Sequence, residues 1–242
     1  MIMKSIIVIS GLFVFVLFNS TIDAQNKMEN KPSLDNKQQS MVAISALTAK
    51  GDILQLKTYL AKGLEEGLTI SEIKEELVQL YAYCGFPRSL NAVNAFMAVL
   101  EERKAKGITD PTGRDASQVK EDDKYETGKA NLQKLTGKEE KSLSGANAFA
   151  PLIDTFLKEH LFADIFSRDI LTYQQRELIT ISALVTLSGV EPQLQAHIGM
   201  AMNTGLTEEQ LKDTFEIVGS IIGINAKDTA LNVLAKAINA SK

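Results

Sequence analysis

The chain has no tryptophan, one cysteine and two histidines among its 242 residues. Without Trp, and with only 6% aromatics, it has little with which to stack on sugars or nucleobases. Cys84 stands alone, so no internal disulfide can form. The fold must be held by its core or by association with other copies. A C-x-x-C pair is equally excluded, and a resolving thiol for redox cycling would have to come from outside. No long basic run exists and the net charge is −4, which offers no footing for nucleic acid. Outside the amino-terminal run, no segment alternates apolar and polar residues as a half-buried strand does. What the chain does have is 45% hydrophobic residues, enough to fill a core, and length for one large domain or two small ones.

The amino terminus reads as a secretory signal. Lys4 precedes the apolar run Ile6 to Phe18, and small or polar residues follow up to Ala24. That run of roughly 13 residues is shorter than the ~20 a transmembrane helix needs. Cleavage is expected after Ala24, with an uncleaved anchor as the alternative, so residues 1–24 are set apart from the fold. The mature protein is expected to be secreted or periplasmic. Residues 25–35 are polar, carry Pro32 and read as a disordered leader.

From there the chain repeats itself. Ile44-Ser-Ala-Leu47 returns as Ile181-Ser-Ala-Leu184 at an offset of 137, and Gly67-Leu-Thr69 returns as Gly205-Leu-Thr207 at 138. Ile73, Leu77, Leu80, Tyr81 and Cys84 fall at helical spacings of three and four. Thr69 with Glu72, Thr136 with Glu139, Thr172 with Gln175 and Thr207 with Gln210 read as helix-capping boxes. Gly85-Phe-Pro87 stops one helix, and Ser188 to Pro192 makes a turn. These signals predict an all-α fold of two repeats, over 36–103 and 149–240, with three helices each. A polar linker over 104–148 joins them. Each repeat alone would leave an apolar face exposed, which pairing of the two buries.

Four motifs in order then resemble one family. Tyr83-Cys-Gly-Phe-Pro-Arg-Ser-Leu-Asn-Ala92 is similar to its Y-x-G-F-P-x-x-x-N-A signature. Tyr125-Glu-Thr-Gly128 resembles the start of its linker. Phe162-Ala-Asp-Ile-Phe-Ser-Arg168, with Leu171, resembles the lead into a second copy. Gly205-Leu-Thr-Glu-Glu-Gln-Leu211 resembles a helix start of the carboxymuconolactone decarboxylase family, which has the all-helical alkylhydroperoxidase-like fold. The resemblance implies a tandem of two such domains in a homo-oligomer, a trimer or a dimer of trimers. It also implies that Glu177 and His197 are the acid/base residues. The corresponding positions in the first repeat hold Ser40 and Tyr59. The second repeat lacks the Y-x-G-F-P motif and has Ile221-Ile-Gly-Ile-Asn225.

Decarboxylation of a lactone without a cofactor or metal needs an oriented carboxylate and a proton donor that works near neutral pH. Histidine, and a glutamate tuned by desolvation, suit the second need. Arg176, Arg168 and Arg88 are the candidates for holding a substrate carboxylate bidentately. Against this stand plainer roles: His197 as a hydrogen-bonded core histidine, Glu177 as an acid favouring a helix dipole, and Cys84 as a small packing residue. His160 reads as a solvated or linker residue, and Tyr83 and Tyr125 as packing residues. Three functions therefore stay open. The first is an acid/base lyase acting on a small carboxylated lactone or similar anion. The second is a peroxidase or reductase using Cys84 with an external thiol, which the missing C-x-x-C disfavours. The third is an exported, non-catalytic binding or assembly module.

Overall fold

The computed structural model describes residues 33–118 and 123–240. The apolar run Ile6 to Phe18 and the expected cut after Ala24 lie outside the described residues, as does most of the leader. The last residues of that leader belong to the fold. Leu34 is buried in the core, and Asp35 caps the first helix. A lone leucine in a polar stretch carries no periodic signal, so composition hid it.

The described residues form helices and no strand. Repeat one consists of α1 (Asn36–Lys50), α2 (Ile53–Glu65) and α3 (Ile70–Ala105). Between α3 and a π-helical segment, Leu157–Ile165, lie α4 (Lys124–Thr136) and two short helices, α5 (Gly145–Phe149) and α6 (Pro151–Phe156). Repeat two consists of α7 (Tyr173–Thr186), α8 (Glu191–Asn203), α9 (Glu208–Ile222) and α10 (Ile224–Ala240).

The repeat goes deeper than the shared tetrapeptides. Offset by 138, α2 falls on α8 with the same bounds. Gly85, at φ 83° and ψ 156°, breaks α3 into two straight helices. At the same offset Gly223, at φ 128° and ψ 159°, separates α9 from α10. Only glycine adopts such angles freely. Each repeat therefore has four helical segments rather than three, and the Gly of the Y-x-G-F-P motif survives in repeat two although its neighbours do not.

The shared tetrapeptides sit on the two central helices. Ser40 to Ala49 of α1 and Arg176 to Val185 of α7 are buried without interruption. A helix buried on every side belongs in the middle of a bundle. Ile44 and Leu47 serve one apolar cluster with Ile73, Leu77 and Leu80 of α3. Leu178, Ile181 and Leu184 serve another with Ile198 of α8 and Leu211, Phe215 and Val218 of α9. Each such side chain contributes about 1.5–3 kcal/mol of burial. At the crossing, the Ser45 hydroxyl donates to the Ile179 carbonyl at 2.6 Å, so a serine is tolerated there.

Three of the four expected capping boxes form, at Thr69, Thr172 and Thr207, and Asp35 with Gln38 adds another. Thr136 is a correction. It ends α4 instead of starting a helix, with Gly137 left-handed behind it. Its hydroxyl donates back to the Leu132 carbonyl. Tyr81 and Cys84 also depart from the expected face and are only half-buried, while Ile73, Leu77 and Leu80 are fully buried.

In the linker, α4 packs on the π-helical segment. A Cβ at Gly128 would lie 1.9 Å from the Lys158 carbonyl oxygen, so only glycine permits this approach. Lys158 is fully buried and bonds Asp154, Glu140 and the Tyr125 hydroxyl. Phe162, Ile165 and Phe166 pack with Met200 of α8. The apolar residues just before the π-helical segment do not join them: Phe149, Leu152, Ile153 and Phe156 are exposed. No helix among the described residues is long and apolar enough to cross a membrane.

Candidate active site

Helix α7 reverses into α8 through a short turn with left-handed Gly189, and Pro192 sits in the first turn of α8. The reversal lays α8 along α7 and brings Glu177 to His197. Glu177 Oε2 lies 2.8 Å from His197 Nδ1. The carboxylate is wholly buried, and the imidazole is 8% exposed. A carboxylate can only accept, so Nδ1 carries the hydrogen. Nε2 then presents its lone pair, or a second proton, away from the glutamate. It has no partner among the described residues and is not sealed from solvent. Glu177 thus fixes the orientation and tautomer of the ring, as an orienting carboxylate does in hydrolytic triads.

Repeat one adds Tyr83, from the last turn of α3 before the Gly85 break. Its ring meets the His197 ring edge-on, with centroids 5.5 Å apart and planes at 77°. Its hydroxyl is buried without a hydrogen-bond partner, and so is Glu177 Oε1. The Thr180 hydroxyl is nearby but outside hydrogen-bonding geometry with Tyr83, and it accepts from Gln79 Nε2 at 3.0 Å. Burial pushes the Tyr83 phenol pKa well up, and the Glu177 charge adds to the effect. The phenol is therefore a hydrogen-bond donor at neutral pH and not a base. Buried polar atoms in native proteins are rarely left unpaired. Both of these lie at the Glu177–His197 pair.

The sequence places Tyr83 at the head of the Y-x-G-F-P motif, where it reads as a packing residue. Helical spacing selected Tyr81 and Cys84 for the core face, and Tyr83 lay between them. The usable signal was its place two residues before a glycine that breaks the helix, at the end of an otherwise buried stripe.

The three arginines separate. Arg176 is fully buried and committed. It donates to Glu75 Oε1 at 2.8 Å, to Gln79 Oε1 at 2.7 Å and to the Arg168 carbonyl at 2.7 Å, and it lies over the Phe166 ring. Burial lowers its pKa and Glu75 counters the shift. It ties α7 to α3 and has no free fork for a substrate carboxylate, which corrects the expected role. Arg168 Nε donates to both Glu75 oxygens at 3.0 Å, so it too is paired, though its side chain is 42% exposed. Arg88 forms no hydrogen bond or ion pair among the described residues, and its charge acts on Cys84. It remains available to an anion.

Cys84 is half-buried, and its Sγ lies 3.2 Å from the Leu80 carbonyl oxygen. Burial pushes the thiol up against the opposing pull of Arg88. Burial thus disfavours the thiolate, and no second cysteine exists to resolve a disulfide. His160 is exposed and pairs with Asp164. No group of three metal-ligating side chains occurs among the described residues. A cavity of about 650 Å³ flanks α8 and is lined by Ala196, Gly199 and Met200, but not by His197 itself. It lies beside the Glu177–His197 pair rather than around it.

Comparison with known proteins agrees with this architecture. A solved structure from Burkholderia xenovorans LB400, of a protein named by resemblance as a gamma-carboxymuconolactone decarboxylase subunit, superposes with a TM-score of 0.52 at 21% identity. The match covers 91% of this chain and 87% of that one, and supports the fold. The 4-carboxymuconolactone decarboxylase of Acinetobacter baylyi is 28% identical over 93 residues, 38% of this chain and 69% of its own length. The protein MJ1511 of Methanocaldococcus jannaschii is 29% identical over 82 residues, 34% of this chain and 77% of its own. Each of these two alignments is about as long as a single repeat. The model of the carboxymuconolactone decarboxylase family matches twice, over residues 18–98 and 151–236, and the chain belongs to that family.

Proposed function

We propose that the protein is a cofactor-free acid/base carboxy-lyase acting on a small carboxylated lactone or a similar anion. The observation that carries this reading is the buried 2.8 Å contact of Glu177 with His197, which leaves Nε2 free. The Acinetobacter baylyi relative is named for decarboxylation of 4-carboxymuconolactone, which supports the same class of reaction.

In such a reaction the bond between a ring carbon and its carboxylate breaks and carbon dioxide leaves. The electron pair passes through the conjugated lactone to the carbonyl oxygen, giving a dienolate. The protonated imidazole of His197 then delivers its Nε2 proton to a ring carbon and is reprotonated by water. Glu177 stabilises the imidazolium between turnovers. Positioned general acids of this kind contribute about 10²–10⁴-fold. Arg88 is the cation best placed by its lack of partners to draw in a carboxylate.

The test is consumption of 4-carboxymuconolactone with release of carbon dioxide by the wild-type protein and by His197→Ala. Turnover in the wild type alone supports the reading, and equal rates in both contradict it. Absence of turnover in the wild type favours the non-catalytic binding module.

The reading includes two further proposals. Export rests on Lys4 and the run Ile6 to Phe18, and an amino-terminal sequence beginning at Gln25 in the secreted fraction checks it. Self-association rests on the family and on the exposed apolar residues Phe149, Leu152, Ile153 and Phe156. Light scattering of the purified protein, giving a mass above that of one chain, checks it.

A further inference from the structure

Where the repeats join, the Tyr83 hydroxyl and Glu177 Oε1 are buried without hydrogen-bond partners, and the His197 ring that Tyr83 touches has its Nε2 unpaired on the side away from Glu177. Of these three atoms, two belong to repeat two and one to repeat one. The corresponding positions in the other repeat hold Ile221, Ser40 and Tyr59. Carboxylate, imidazole and phenol hydroxyl are thus gathered on one side of the pseudo-symmetric pair. The Tyr83 hydroxyl makes no hydrogen bond of good geometry among the described residues, although the Thr180 hydroxyl lies near it.

We propose that Tyr83 holds the substrate oxygen that becomes negative in the reaction, by donating its hydroxyl hydrogen bond to the lactone enolate. This rests on the lyase reading above. The electron pair released with carbon dioxide ends on the lactone carbonyl oxygen, and that anion forms in largely apolar surroundings. A donor already in place there stabilises the developing charge without reorganisation. The phenol suits the task because the neighbouring Glu177 carboxylate opposes its ionisation. Its contact with the His197 ring sets the oxygen-holding donor beside the proton-delivering acid, as a five-membered lactone requires.

The test uses two small probes and calorimetry on wild type, Tyr83→Phe and His197→Ala. Tetronic acid is a five-membered lactone that is an enolate anion at neutral pH, and 2(5H)-furanone is the uncharged ring. Loss of a hydrogen bond to a charged oxygen should weaken tetronate binding by at least about tenfold in Tyr83→Phe, with furanone changed less than about twofold. The melting temperature of Tyr83→Phe should equal or exceed that of the wild type, because no partner is lost. Equal tetronate affinity in wild type and Tyr83→Phe, with loss in His197→Ala, overturns the role of Tyr83 and leaves the lyase reading standing. A fall in melting temperature of several degrees in Tyr83→Phe gives the hydroxyl a structural partner and also overturns the proposal. Failure of wild type to bind tetronate overturns both.

Discussion

The two repeats share a backbone and differ in what they hold. Helix bounds, capping boxes and breaking glycines correspond between them. Yet Glu177 faces His197 in repeat two, where repeat one has Ser40 and Tyr59. The Ser40 hydroxyl is buried and unpaired. The ties between repeats are unequal as well. Arg176 of α7 binds Glu75 and Gln79 of α3. The matching positions are Gln39, Asp213 and Ile217, of which Gln39 donates to the Leu34 carbonyl and Asp213 accepts from the Ser33 hydroxyl. The two repeats kept the scaffold in common, and only the second kept the glutamate–histidine pair. The copy without the pair supplies Tyr83 and the clamp that positions the other.

The largest effect should come from the pair itself. His197→Ala should lower kcat/KM on the lactone substrate by about 10²–10⁴-fold. Tyr59→Phe and Ser40→Ala should leave it within about twofold, since neither faces an acid/base partner. Comparable losses in both repeats would erase the distinction.

The clamp comes next. Arg176→Ala removes the guanidinium from Gln79 and one of the two that Glu75 holds, Arg168 remaining, and should destabilise by about 1–3 kcal/mol in urea unfolding. The counterpart, Gln39→Ala, should cost about 1 kcal/mol or less. The breaking glycines should instead behave alike. Gly85→Ala and Gly223→Ala each force a side chain into backbone angles that only glycine accepts, for about 1–3 kcal/mol apiece. A large difference between them would show that the shared scaffold is not equally used.

Glu76 offers the smallest and most specific effect. It is fully buried, both carboxyl oxygens lack partners, and burial holds its pKa well above the ordinary range. The folded chain keeps this proton where the unfolded chain releases it. Stability therefore falls as pH rises above the ordinary carboxylate range. Glu76→Gln should stabilise at neutral pH by about 1 kcal/mol, or about 2–4 °C, with the gain vanishing at acid pH. Its counterpart Thr214, which donates to the Gln210 carbonyl, should show no such pH dependence when changed to Ala.

Much of this fold was legible because helices announce themselves locally. Thr69, Thr172 and Thr207 each placed a helix start, and the repeated Ile-Ser-Ala-Leu marked the two central helices. Glu177 and His197 were found because the resemblance to the family implies them. The guanidinium of Arg176 was misplaced because sequence shows a charge but not its commitments. Glu75 and Gln79 lie about a hundred positions away, and only packing brings them together. Tyr83 reads from sequence as a packing residue for the same reason: an unpaired hydroxyl is a property of surroundings, not of spacing. Leu34 and Thr136 show the local limit, where a single residue serves core or cap without a periodic context.

The two histidines provide the most direct test of where the chemistry sits. Imidazole NMR of the protein, assigned with His160→Asn, gives one signal set for the buried His197 and one for the exposed His160. Titration with 4-carboxymuconolactone should move the His197 resonances and leave His160 in place. Movement of His160 alone, or of neither, would contradict a site built on Glu177 and His197.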